Sequence, residues 1–129
     1  LQKYAKHGNE SGINFSSKEG EIPTASELKK MGIKLFVGVG HETTGATTYS
    51  EGDILNLLEW IEQDSKKHHA IIDATSTLGA MPWGDEIVQK VVSKCSLFMP
   101  FQKAIGGTAG YFIISFTPES LDLVEKMFC

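Results

Sequence analysis

Four short apolar runs constrain this chain more than any other feature: Ile33–Val39, Ala70–Ile72, Ser96–Met99 and Tyr111–Phe116. Ala70-Ile71-Ile72 is apolar at every position and ends at Asp73, which predicts a buried strand. Ile33–Val39 lies between Gly32 and Gly40 and is rich in β-formers, so it predicts another. The stretches between the runs have a helical period. Thr24-Ala25-Ser26-Glu27 is a capping-box pattern with Pro23 outside it and Leu28 and Met31 on one face. It predicts a short helix ending at Gly32, a residue suited to the position just past a helix end. Ser50-Glu51-Gly52-Asp53 opens a second helix, on which Ile54, Leu57, Leu58 and Ile61 share a face. Its acidic start and the Lys66-Lys67 pair expected at its end both suit the helix dipole. A third helix is predicted over Asp85–Val92, with Ile87, Val88, Val91 and Val92 inward. Thr117-Pro118-Glu119 starts a last one, with Leu121, Val124 and Met127 inward.

Strands alternating with helical crossovers predict an α/β domain, a three-layer α/β/α sandwich around a mostly parallel sheet. The glycine turn Gly106–Gly110 is too short for a crossover helix, so the fourth strand must run antiparallel to the third if the two pair. Residues 1–20 show no sustained period and read as a frayed helix end and loop, with a short strand at Ile13–Phe15 and a solvated His7.

Composition narrows the function classes. The 129 residues, 41% of them hydrophobic, suit one domain with one core. A net charge of −4 without a basic cluster gives no support for nucleic-acid binding. No apolar run approaches the roughly 18–20 residues that span a bilayer, so no membrane partner is expected. Two cysteines, Cys95 and Cys129, make neither a disulfide framework nor a metal knuckle, and the expected compartment is a reducing cytoplasm. Phosphate loops of the Gly-x-Gly-x-x-Gly and Gly-Lys-Ser/Thr kinds are missing, as is a Gly-x-Ser-x-Gly elbow. His68 and His69 are adjacent and point apart, which disfavours a metal site. The chain opens on Leu1 and stops just after a helical pattern at Cys129, so we expect a piece of something longer, or a processed or partly ordered chain.

In an α/β sheet the chemistry gathers beyond the carboxyl ends of the strands. Asp73 closes the second strand. Such an aspartate commonly caps the following turn, but buried it also needs a cation, and a protonated pyridine nitrogen would serve. Lys103 follows the third strand, between Gln102 and the turn Gly106-Gly107-Thr108. Alone it would reach out to solvent; partly desolvated, it would suit Schiff-base chemistry. Thr43 and Thr44 follow the first strand, where a hydroxyl can contact a ring oxygen or a phosphate or simply serve the turn. Thr75 and Ser76 are open to the same two roles. His41 reads as polar filler, and Glu42 as an acid or base without an evident partner.

The ordered set Glu42-Thr43-Thr44-Gly45, Asp73-Ala74-Thr75-Ser76 with Pro82-Trp83 after it, and Gln102-Lys103-Ala104-Ile105-Gly106-Gly107 resembles the class V branch of the fold-type I pyridoxal-phosphate enzymes. It looks most like the phosphoserine aminotransferases, from about Leu35 to Val124. The resemblance implies pyridoxal 5′-phosphate as cofactor. Lys103 would be the Schiff-base lysine and the base of the proton shift, and Asp73 the partner of the pyridine nitrogen. Gln102 would lie at the phosphate, Thr43 near the phenolic oxygen, and Ser76 would also contact the cofactor. It further implies amino transfer between glutamate and 3-phosphohydroxypyruvate, amino-acid and keto-acid substrates, and a homodimer in the full-length protein. Members of the family are longer, add a phosphate loop, a stacking aromatic and a small domain, and grip substrate with arginines. This chain has no arginine, its twelve basic residues all being lysines. The expected identity is a central piece of the large, cofactor-binding domain. Two other readings stay open: a different class V activity, such as an alanine–glyoxylate-type aminotransferase or a lyase, and a degenerate module that binds or assembles without catalysis.

Overall fold

The computed structural model describes residues 21–43, 46–77, 79, 81–103 and 105–128. The expectations for the Ile13–Phe15 strand, His7, Thr44 and the side chain of Met127 lie outside the described residues.

Local chemistry starts each element. Helix α1 (Ala25–Lys30) begins at Thr24, whose hydroxyl accepts the Glu27 N–H at 3.3 Å while Glu27 accepts the Thr24 N–H at 2.9 Å. Gly32, at φ +67°, takes the left-handed conformation that lets the chain turn away into β1 (Leu35–Val39). A short hairpin of β2 (His41–Glu42) and β3 (Thr47–Thr48) follows, which the sequence pattern does not announce. Two residues per strand are too few to show a period. The 13-residue helix α2 (Glu51–Gln63) has the same reciprocal cap between Ser50 and Asp53. It ends before the two lysines expected in its last turn. Lys67 instead pairs with Asp64 at 3.0 Å in the turn beyond.

Then come β4 (His69–Asp73), α3 (Asp85–Lys94), β5 (Ser96–Pro100), β6 (Phe112–Ser115) and α4 (Pro118–Phe128). The four long strands form one sheet in the order β1-β4-β5-β6. The β1–β4 and β4–β5 pairs are parallel and β5–β6 is antiparallel, the reversal that the glycine turn demands. The fold is thus α/β with a mostly parallel, mixed sheet.

Alternation along the strands sorts the faces. Phe36, Ala70, Ile72 and Leu97 point to one side and make a buried core with Leu28 of α1, Val91 of α3 and the inner face of α2. Trp60 of α2, not singled out by the period, is fully buried in this core. On the other side Leu35, Val37 and Val39 expose 53, 56 and 43% of their surface. There the described helices contribute the start of α4, where His69 Nδ1 lies 3.2 Å from Ser120 Oγ.

Two inward assignments are corrected. Val92 is 54% exposed although Val91 is buried, because α3 turns its neighbour about 100° away from the core. Leu121 is 45% exposed, since α4 is held through its first turn and the sheet face beside it carries no further helix among the described residues.

Candidate functional site

Because β1, β4 and β5 run parallel, their carboxyl ends share one edge. The register sets Val39 beside Asp73, and Asp73 beside Phe98. Beyond these ends lies an open cleft of about 460 Å³. His41, Glu42 and Thr43 line it from the β2 side, Asp73, Thr75 and Ser76 from the turn after β4, and Gln102 and Lys103 from the turn after β5. Phe98, Tyr111 and Phe112 add an aromatic wall, in which the rings of Phe98 and Phe112 are tilted with centroids 5.3 Å apart. All five residues expected around a cofactor (Thr43, Asp73, Ser76, Gln102 and Lys103) therefore line one space.

Asp73 is half-buried and does two things. Its Oδ1 accepts the Thr75 N–H at 2.8 Å and the Thr75 hydroxyl, so it closes the turn as such aspartates commonly do. Its Oδ2 makes no hydrogen bond or ion pair among the described residues, which leaves one carboxylate oxygen for a ligand. Lys103 Nζ donates to Ser76 Oγ at 3.3 Å, bridging the turns after the two neighbouring strands. The expected desolvation of Lys103 is not there. The residue is exposed, because the turn that carries it stands on the open side of the cleft. That turn is shaped by glycine: Gly106 has φ +70°, and the Gly107 N–H donates to Phe101 O at 2.7 Å. A β-carbon at Gly107 would come within 3.0 Å of Phe101 Cβ. Thr108 is exposed on this turn and does not line the cleft.

A hydrogen-bonded bracket, partly buried, holds the end of β1. The Tyr49 hydroxyl bonds the Val39 backbone behind Gly38, and burial pushes its ionisation above the usual phenol range, with Asp53 adding to the shift. Trp83 Nε1 donates to Tyr49 O at 2.8 Å, and the Gly84 N–H donates to Glu51 Oε1 at 2.7 Å. The Gly40 N–H continues the ladder to Asp73 O at 2.9 Å, and Thr77 Oγ1 sits 3.1 Å from where a β-carbon on Gly40 would be.

Sequence reasoning missed the aromatic wall and undervalued His41. The first follows from the β4–β5 register, which sets Phe98 opposite Asp73 and is fixed only by folding. For the second the signal is the position of His41 just past the end of β1. Cys95 is not a candidate nucleophile: burial pushes its thiol up to about 12. Among the described residues no cluster of three or more histidine, cysteine or carboxylate side chains could hold a metal ion, and no helix is long and apolar enough to cross a membrane. No protein-family model, curated protein or solved structure matches the chain.

Proposed function

We propose that the cleft binds pyridoxal 5′-phosphate and serves amino-group transfer of the class V, phosphoserine aminotransferase-like kind. One observation carries this reading. Asp73, whose Oδ2 makes no hydrogen bond among the described residues, and Lys103 line one cleft from the ends of neighbouring parallel strands, with Ser76 joining the two turns. A half-buried carboxylate oxygen without a partner among the described residues fits a cationic ring N–H, and a primary amine lining the same cleft fits the carbonyl of the same flat ligand.

When bound, the cofactor supplies an electron sink for the carbon whose amino group is transferred. The chain's own residues do the rest. Asp73 Oδ2 would hold a proton on the ring nitrogen, with the Thr75 bonds to Oδ1 keeping the carboxylate from rotating. Lys103 Nζ would hold the cofactor's carbonyl carbon and would be the base that takes and returns a proton. Ser76 orients that amine. Gln102 and Thr43 are assigned to the phosphate and the phenolic oxygen. The aromatic wall would line one side of the cofactor. We further assign the exposed sheet face to a second helical layer of a larger domain, and the parent enzyme to a cytoplasmic homodimer that acts on glutamate and a phosphorylated 2-oxo acid.

The test is a titration of the chain with pyridoxal 5′-phosphate, read by its visible absorbance. A protein-linked band is expected in the native chain and in Lys90→Ala, and is expected to be lost in Lys103→Ala. The same band in all three, or in none, refutes the proposal.

A further inference from the structure

We infer that His41 is the group that receives the substrate carboxylate. This rests on the proposed amino transfer, whose substrates are amino acids and 2-oxo acids and so always bring one carboxylate to the cleft. A carboxylate bound at a protein site needs a directed N–H donor, preferably one able to carry charge. The chain has no arginine to offer. Among the described residues the basic side chains that line the cleft are His41 and Lys103, and the proposed function commits Lys103 to the cofactor.

The backbone prepares His41 for this task. It is half-buried in β2, directly opposite Thr48 of β3 in the hairpin register. Its Nδ1 lies 2.5 Å from Thr48 Oγ1, which fixes the plane of the ring. Among the described residues Nε2 makes no hydrogen bond. A hydroxyl donates to Nδ1 as readily as it accepts from it, so an arriving carboxylate selects the tautomer with its proton on Nε2. The contact is through a single nitrogen, where a guanidinium would offer two. The hairpin thus gains a purpose: it holds one imidazole in place where it lines the cleft.

The experiment uses the full chain labelled with ¹⁵N and follows the histidine ring nitrogens by long-range ¹H–¹⁵N spectroscopy, with pyruvate as the probe. His41 is assigned by the signal that disappears in His41→Gln. Pyruvate should shift the His41 ring signals saturably. Its affinity, followed through the Thr43 amide, should fall about tenfold in His41→Ala and recover in part in His41→Gln, which keeps a neutral donor. Unmoved His41 signals, or equal affinity in all three proteins, overturn the inference even where the cofactor band forms. A His41 that senses pyruvate in a chain that never forms that band upholds the carboxylate site and refutes the cofactor reading instead.

Discussion

Replacing Asp73 separates its two jobs. In Asp73→Ala the Thr75 N–H, at 2.8 Å from Oδ1, and the Thr75 hydroxyl both lose their acceptor. Hydrogen bonds to a charged group contribute about 1.5–3 kcal/mol when desolvated, and less here because Asp73 and Thr75 are half-buried and water can replace part of the loss. The expected destabilisation is about 1–3 kcal/mol. Asp73→Asn keeps an amide oxygen in the Oδ1 position and should cost under about 1 kcal/mol. Urea unfolding followed by circular dichroism reads the difference. With a slope of about 1–3 kcal/mol per M, the alanine variant should unfold roughly 1–2 M earlier than the native chain, and the asparagine variant less than half as much earlier. Cofactor affinity should behave differently, falling in both variants because both lose the negative charge that faces the ring nitrogen. Two results would refute the reasoning. If Asn unfolds as early as Ala, the turn does not depend on the acceptor. If Asn binds pyridoxal 5′-phosphate like the native chain, the charge does not face the cofactor.

Further outcomes follow from the bracket, the core and the caps. A β-carbon on Gly38 would lie 2.6 Å from Phe36 Cε1 and 2.8 Å from the Tyr49 hydroxyl, so Gly38→Ala should cost about 1–3 kcal/mol in urea unfolding. Adding Tyr49→Phe should return part of that loss; a strictly additive double variant would contradict the overlap. Cys95 should resist alkylation in the native chain and react once urea unfolds it. Its folded-state thiol, pushed up to about 12, disfavours the thiolate relative to the unfolded chain, with its ordinary value of about 8.5. Its contribution is therefore intact below about pH 8.5 and drains away as pH rises from there toward about 12, a loss that Cys95→Ala should not show. Ser50→Ala removes the acceptor of the Asp53 N–H at the start of α2 and should cost about 0.5–2 kcal/mol, measured in the same assay.

Much of the architecture was legible because its causes are local. The caps at Thr24 and Ser50 mark their own helices by side-chain spacing. The uniformly apolar Ala70–Ile72 run marks a central strand, and the short turn at Gly106–Gly110 forces the antiparallel reversal. The misread positions depend on neighbours distant in sequence. A helical period defines a wide arc, and only packing decides that Val91 lies at its centre and Val92 outside it. The hairpin holding His41 rests on two cross-strand pairs, and nothing along the sequence announces so short a ladder. Asp73 and Lys103 could be found as strand-end residues. The proximity of Ser76 to Lys103, and of Phe98 to Asp73, follows from the β4–β5 register, which is a property of the folded chain. The exposure of Lys103 is of the same kind, since burial is decided by what surrounds a turn.

The most direct test is chemical trapping. Incubation with pyridoxal 5′-phosphate, reduction with borohydride and peptide mapping by mass spectrometry would show where the cofactor attaches among the twelve lysines. A single phosphopyridoxyl group on Lys103, with Asp73→Asn lowering its yield, is the predicted result. Label spread over surface lysines such as Lys66, Lys90 and Lys126, with no preference for Lys103, would contradict it.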